Sequence, residues 1–216
     1  MIETRSSVVT NFDALSKECQ ALLFITRDTA SQREACVKLS DAIGNLRNVK
    51  HQAVSEAAED FANLLLGFEF VAGCLQAELE MWMLLKEGNP DKAWDKLIVA
   101  QSSAANAVKA HGNLEDLEGH NERLHTIEEL IFPPQVFISM GGVVHNPACS
   151  ICGSNYEDCD HLIGKPYWGE LCCAILKDFQ PDHVSFVDHP ANKHCRVTHF
   201  SDEGGKRNKM TWVIER

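Results

Sequence analysis

The chain has 216 residues, a hydrophobic fraction of 44% and a formal net charge of −11. This length and composition are typical of a globular protein with a substantial core. Because an acidic chain repels nucleic-acid backbones at long range, the negative net charge excludes non-specific nucleic-acid binding through a broad basic surface.

We expect no targeting signal among the first residues. Met1 to Asn11 lack the basic start and apolar run of a secretory signal, and no stretch approaches the roughly 18 apolar residues of a membrane helix. Of the nine cysteines, six lie between Cys149 and Cys195. This clustering favours reduced thiols that bind metal over disulfides. We therefore expect a cytoplasmic protein without a membrane association.

From about Asn11 to Ile131, apolar residues recur three and four positions apart, which predicts an α-helical bundle. Five helices are expected: around Leu15 to Ile25, from Ala30 to Leu46, from Val54 to Lys86, from Asp91 to Lys109, and from Asn113 to Ile131. Gly88 suits a left-handed cap, and Pro90 suits the first turn of the next helix. The sequence thus predicts a helical domain over residues 1–132 that associates with itself or with a protein partner.

From Gln135 the pattern changes to short β-type runs separated by Gly, Pro, Asn and Asp. These runs are Val136 to Ser139, Val143 to Val144, Val184 to Val187, and Thr211 to Ile214. They predict a small β-rich module over residues 133–216. The whole chain is therefore expected to have an α+β fold.

Four side chains within this second region predict a zinc site. Cys149 and Cys152 are separated by two residues, a spacing that lets one turn place both sulfurs around a metal, and Gly153 permits the tight turn. Cys159 and His161 add a third sulfur and an imidazole. Three thiolates and one histidine form the closed tetrahedral set of structural zinc, with no position left for water.

Three further cysteines leave the ligand set open. Cys172 would replace His161 or Cys159 if its loop returned close enough, and Cys195 is another spare thiol. Cys173 is the third spare thiol, and His145 lies shortly before the pair of Cys149 and Cys152. The preferred set is nevertheless Cys149, Cys152, Cys159 and His161.

The segment from Cys149 to Val197 resembles a cysteine-rich segment of tailed-phage prohead proteases and related head-maturation proteins. The matching features are Cys149-Ser-Ile-Cys152-Gly, Cys159-x-His161, Gly164, Tyr167, Gly169, Cys172, and the run Val184 to Asn192. The resemblance implies a zinc-stapled module shared with phage-related proteins, in a phage, a mobile element or a defence element. It does not imply protease activity, because the helical region does not supply that family's catalytic β-domain.

We expect a non-enzymatic adaptor or assembly protein, since the chain lacks a phosphate-binding glycine loop and a serine elbow. A helical bundle would bind a partner, and the zinc module would present a recognition surface. Nucleic acid is not favoured as a partner, although basic residues recur near the C-terminus. They are Lys193, Arg196, Lys206, Arg207 and Lys209.

Two enzymatic alternatives compete with the adaptor. In an HNH-like metal-dependent nuclease, Asp160-His161 would follow the cysteine pair, with His161 as the base and Asn192 and His194 as later members. If His161 binds zinc, however, it cannot also be the base. The other alternative is a hydrolytic metal site among His183, Asp188, His189, His194 and His199.

Overall fold

The computed structural model describes residues 4–215, apart from the side chains of Asp202 and Glu215. The chain packs into two compact units. The first unit extends to His125 and includes Gly164–Leu171, and the second comprises Thr126–Ile163 and the chain from Cys172 onward. A boundary between residues 132 and 133 stays a prediction. Helices dominate the first part of the chain and antiparallel strand pairs the second, which confirms the α+β class.

Five α-helices are described, as the periodicity predicts. They are α1 (Arg5–Gln20), α2 (Thr29–Ser55), α3 (Glu59–Lys86), α4 (Pro90–Ala110) and α5 (Leu117–Ile131), and a 3-10 turn at Gly112–Leu114 precedes the last. In the described part of the chain, no helix has the length and apolar character needed to cross a membrane.

The ends of four helices differ from prediction, and the last of these helices, α5, begins at Leu117 rather than at Asn113. The first helix begins and ends earlier than expected, so that Leu22 and Ile25 lie beyond it. The second continues to Ser55, and the third begins at Glu59 rather than at Val54. The cause is Ala57, whose φ of 54° breaks the helical path. The predicted stop after α3 is confirmed, because Gly88 has a φ of 72° and Pro90 opens α4.

Nine short strands are described after the helices, all in antiparallel pairs. They are β1 (Phe137–Val144), β2 (Ala148–Cys149), β3 (Pro166–Tyr167), β4 (Glu170–Leu171), β5 (Ala174–Ile175), β6 (Phe179–Val187), β7 (His199–Asp202), β8 (Gly205–Asn208) and β9 (Ile214–Glu215). Strand β1 pairs with β6, β2 with β5, and β3 with β4, while β7, β8 and β9 form a three-stranded sheet.

Helix α3 is the centre of the first unit. It is apolar on most of its circumference, with buried side chains facing both α2 and α4. Leu39 of α2 and Leu97 of α4 are fully buried against this core, and the Phe12 ring of α1 stacks on Phe68 with centroids 4.4 Å apart. A helix apolar all round is stable only when it is enclosed by others, which explains the bundle.

One carboxylate, that of Glu78, is buried within this apolar unit. Glu78 is completely shielded from solvent, and Trp82 Nε1 donates a hydrogen bond to its Oε1 at 3.2 Å. Arg123 Nη2 donates to Oε2 at 2.5 Å, and His120 Nε2 lies 3.2 Å from the same oxygen. Burial acts to raise the pKa of Glu78, but the hydrogen bonds from His120 and Arg123 outweigh it and lower the pKa. The carboxylate is therefore ionised at neutral pH and joins α3 to α5.

The β3–β4 hairpin belongs to the helical unit although it lies within the cysteine-rich segment of the sequence. The amide of Trp168 donates to Glu59 Oε1 at 3.2 Å, and the amide of Gly169 donates to Asn63 Oδ1 at 2.8 Å. Gly169 has a φ of 78°, and a Cβ there would lie 2.8 Å from the Lys50 side chain. A glycine is therefore required where the hairpin meets α3.

The second unit has a small apolar core. Among its described residues, six apolar side chains are buried: Phe132, Phe137, Ala148, Cys149, Cys172 and Met210. Strand β1 unites two of the predicted runs, with a bulge between Gly141 and Gly142. The predicted strand at Thr211 to Ile214 is confirmed only at its end, because Trp212 has a φ of 60° and β9 begins at Ile214.

Candidate metal centre

The first two candidate ligands lie at the end of β2 and on the tight turn that follows it. The amide of Cys149 donates to the Ser154 carbonyl, and the amide of Gly153 donates back to the Cys149 carbonyl, both at 2.9 Å. Gly153 has a φ of 74°, which a residue with a Cβ adopts only at a cost. The Ile151 amide lies 3.4 Å from the Cys149 sulfur as a donor. This turn directs backbone N–H groups at a sulfur atom, which suits a thiolate.

The other two candidate ligands follow a short 3-10 turn at Tyr156–Asp158. The Tyr156 amide donates to the Pro147 carbonyl at 2.7 Å, and its hydroxyl accepts from the Ile163 amide at 3.3 Å. Cys159 and His161 therefore lie on a loop that is tied at both ends beside the first turn. The Cys159 thiol contacts the His161 carbonyl at 3.9 Å.

The structure brings all four predicted residues together. The sulfurs of Cys149, Cys152 and Cys159 and one ring nitrogen of His161 all lie within 4.8 Å of one another. We call these four residues the zinc-ligand group, after the metal that the sequence predicts. Ligand atoms of a tetrahedral site with metal–sulfur bonds of about 2.3 Å are about 3.8 Å apart, so contraction by about 1 Å or less would seat a metal ion. The residues present therefore fit a metal ion.

The electrostatics of the zinc-ligand group also favour a cation. Burial acts to raise the pKa of Cys149, but the amides of Cys152 and Ile151 lower it to about 7. The amide and hydroxyl of Ser154 lower the pKa of Cys152. Burial and the neighbouring sulfur of Cys149 raise the pKa of Cys159. Two thiolates are thus stabilised by the backbone, and the third would be stabilised by a bound cation.

Accessibility within the zinc-ligand group is graded. Cys149 is buried, Cys159 and His161 are half-buried, and Cys152 is exposed. A metal ion held by these residues would lie near the surface of the second unit, with its innermost bond to Cys149. Sulfur-rich donor sets of this kind favour zinc and other soft metals over magnesium or calcium.

Of the three spare thiols, the structure brings Cys172 beside the zinc-ligand group. Cys172 is buried, and its sulfur lies 3.8 Å from the Cys149 sulfur. Cys195 is exposed and does not join the zinc-ligand group. The sequence names Cys172 as an alternative ligand but cannot place it, because its approach depends on the pairing of β2 with β5.

The histidine-rich segment near the C-terminus does not form a second metal group. Within the described residues, the zinc-ligand group is the only set of three or more ligand-type side chains close enough to hold an ion. His183 Nδ1 lies 3.4 Å from the Asp182 carboxylate, and His199 Nδ1 lies 3.1 Å from the Thr198 hydroxyl. The alternative of a hydrolytic metal site among His183, Asp188, His189, His194 and His199 is therefore not assembled in the described part of the chain.

The geometry also bears on the nuclease alternative. The His161 ring is a member of the zinc-ligand group, and a ring nitrogen that binds a metal ion cannot also act as the base. The Asn192 Oδ1 accepts the His194 amide at 2.9 Å within a local turn.

Comparisons with protein-family models, with curated proteins and with solved structures found no match to this chain. The resemblance to phage head-maturation proteins is therefore not supported by these comparisons.

Proposed function

We propose that this protein is a non-enzymatic zinc-binding adaptor or assembly protein, in which the metal holds a recognition module in shape. The observation that carries the proposal is the zinc-ligand group, whose four ligand atoms lie within 4.8 Å of one another. Four protein ligands complete a tetrahedral shell and leave no position for a substrate or a reactive water. A closed shell favours a structural role.

Because the apolar core of the second unit is small, a bound metal would contribute to the stability of this unit. Six buried apolar side chains among the described residues provide little hydrophobic stabilisation, and two of the six are Cys149 and Cys172. Small modules of this kind commonly depend on a structural metal. A bound metal would hold the turn at Gly153 and the loop at His161 together.

Exposed apolar side chains beside the zinc-ligand group supply a surface for a protein partner. Leu162 and Ile163 directly follow His161 and are 58% and 56% exposed, and Leu176 of the chain after β5 is 61% exposed. A contiguous exposed apolar patch is typical of a protein-binding site. The proposed partner is therefore a protein that contacts Leu162, Ile163 and Leu176. The helical bundle of residues 1–132 would provide self-association or a second binding surface.

The cellular setting forms part of the proposal. All nine cysteines are free thiols, which suits a reducing compartment such as the cytoplasm. An association with phages, mobile elements or defence systems is proposed on the sequence resemblance of the Cys149 to Val197 segment. Neighbouring genes that encode head proteins or defence proteins would distinguish these settings.

The direct test compares metal content in two cysteine variants. Cys152→Ser removes one member of the zinc-ligand group, while Cys173→Ser removes an exposed thiol outside it. We expect about one zinc per chain in the unmodified protein and in Cys173→Ser, and loss of zinc with unfolding of the second unit in Cys152→Ser. Elemental analysis and near-ultraviolet circular dichroism provide the readouts.

Two results would contradict the proposal. The first is a Cys152→Ser variant that keeps both its zinc and its near-ultraviolet spectrum. The second is DNA cleavage by the unmodified protein with added magnesium or manganese that disappears in His161→Ala, because that result would make His161 a catalytic base.

A further inference from the structure

A fifth sulfur lies against the zinc-ligand group. The Cys172 sulfur is 3.8 Å from the Cys149 sulfur, and its side chain is only 2% exposed. This distance equals the separation of about 3.8 Å between two sulfurs that share one tetrahedral metal ion with bonds of about 2.3 Å. The Cys172 sulfur is therefore as far from the Cys149 sulfur as two ligands of one metal ion are from each other.

The backbone fixes this approach from both sides. The Ser150 amide donates to the Cys173 carbonyl at 3.0 Å, and the Cys173 amide donates to the Ser150 hydroxyl at 2.9 Å. Strands β2 and β5 pair Cys149 with Ala174 in the same stretch. The residues adjacent to both cysteines are thus hydrogen-bonded to each other, so the two sulfurs keep their spacing without a metal or a disulfide.

We propose that Cys172 is a reserve ligand of the metal centre, which takes the fourth coordination position when His161 leaves it. This inference rests on the proposed function, because it requires that the zinc-ligand group binds a metal. In the exchange the metal–nitrogen bond breaks and a metal–sulfur bond forms, while the Cys172 thiol gives its proton to solvent. No electron is transferred, and the product is a four-thiolate site.

Structural reasons identify His161 as the ligand that Cys172 replaces. Cys149 and Cys152 are held by the backbone N–H groups of their turn, and loss of Cys149 would remove the sulfur that Cys172 adjoins. Exchange of the single imidazole gives a set of four thiolates, which is as ordinary in structural zinc sites as three thiolates with one histidine.

The test is a cobalt titration of the protein after a chelator has removed its metal. Four forms are compared. A fifth variant, Cys172→Ser alone, checks whether Cys172 belongs to the resident ligand set. The four forms are the unmodified protein, His161→Ala, His161→Ala with Cys172→Ser, and His161→Ala with Cys173→Ser. Cys173 is the matched control, because it adjoins Cys172 in sequence but is exposed and outside the zinc-ligand group. Tetrahedral cobalt reports both occupancy and the number of bound sulfurs through its sulfur-to-cobalt charge-transfer absorption.

We expect His161→Ala to bind one cobalt ion in a tetrahedral site, with charge-transfer absorption higher by roughly a third as three sulfurs become four. The added Cys172→Ser change should weaken binding by more than about tenfold, whereas the added Cys173→Ser change should not. Because every titration starts from metal-free chain, an unfolded apo second unit affects all variants alike.

Three outcomes would overturn the inference. If His161→Ala binds cobalt as weakly as the variant that also lacks Cys172, there is no reserve ligand. If Cys172→Ser alone abolishes binding, Cys172 is a resident ligand rather than a reserve. If the unmodified protein binds neither cobalt nor zinc, both the proposed function and the inference about Cys172 fail. If it binds metal and only the first or second outcome occurs, the inference fails and the proposed function stands.

Discussion

At the scale of single residues, the metal centre depends on a backbone that is shaped before any metal binds. Gly153 adopts a φ of 74° in the same turn in which the amides of Ile151 and Cys152 point at the Cys149 sulfur. Those donors lower the pKa of Cys149 to about 7, against the effect of its burial. The turn thus favours the thiolate form that a metal requires.

Replacement of Gly153 by alanine should isolate this backbone effect. A Cβ at Gly153 would meet no atom within 4 Å, so the cost is the left-handed conformation alone, about 1–2 kcal/mol. We expect zinc affinity to fall by about 5- to 30-fold, as measured by competition with a chromophoric chelator. Gly119→Ala is the control: its Cβ also has open space, and it lies in α5 without a positive φ. Unchanged affinity in Gly153→Ala would show that the turn conformation does not matter.

At the scale of elements, α3 organises the first unit, and one buried charge ties it to α5. Glu78 lies on an otherwise apolar surface of α3 and is satisfied by Trp82 from its own helix and by Arg123 and His120 from α5. A buried carboxylate without these partners would cost several kcal/mol. The network therefore fixes how the two helices align.

Stability of the helices should fall in acid because of Glu78. Its folded-state pKa is lowered below the unfolded value of 4.5, so its contribution is complete above about pH 4.5 and is lost as pH falls through the folded pKa. Glu78→Gln should reduce the free energy of unfolding at pH 7 by about 1–3 kcal/mol and flatten this acid dependence. Urea unfolding followed by helical circular dichroism measures both.

Glu34→Gln is the matched control for Glu78→Gln. Glu34 is 70% exposed and forms an ion pair with Lys38 within α2. Its loss should change stability by less than about 0.5 kcal/mol, since exposed pairs contribute little. An acid dependence that is the same in Glu78→Gln as in the unmodified protein would remove Glu78 as its cause.

At the scale of the whole molecule, local patterns were predictable from sequence and non-local ones were not. Helical periodicity gave the five helices, and Gly88 with Pro90 gave the end of α3, but nothing in the residue types indicated the left-handed Ala57 that separates α2 from α3. The zinc-ligand group was predictable because its members lie within thirteen residues of one another.

Three features depend on contacts between distant parts of the chain. The position of Cys172 beside Cys149 requires the pairing of β2 with β5, and the place of the β3–β4 hairpin in the helical unit requires its hydrogen bonds to α3. The network of Glu78 with Arg123 joins residues 45 positions apart. Spacing along the sequence carries no information about such contacts, so a structure is needed to find them.

X-ray absorption at the metal edge of the purified protein tests the closed metal site most directly. We predict a zinc ion with three sulfur ligands at about 2.3 Å and one nitrogen ligand at about 2.0–2.1 Å, and no further ligand. A site with a bound water or with mainly oxygen and nitrogen ligands would contradict it, because the metal would then have an open position for chemistry.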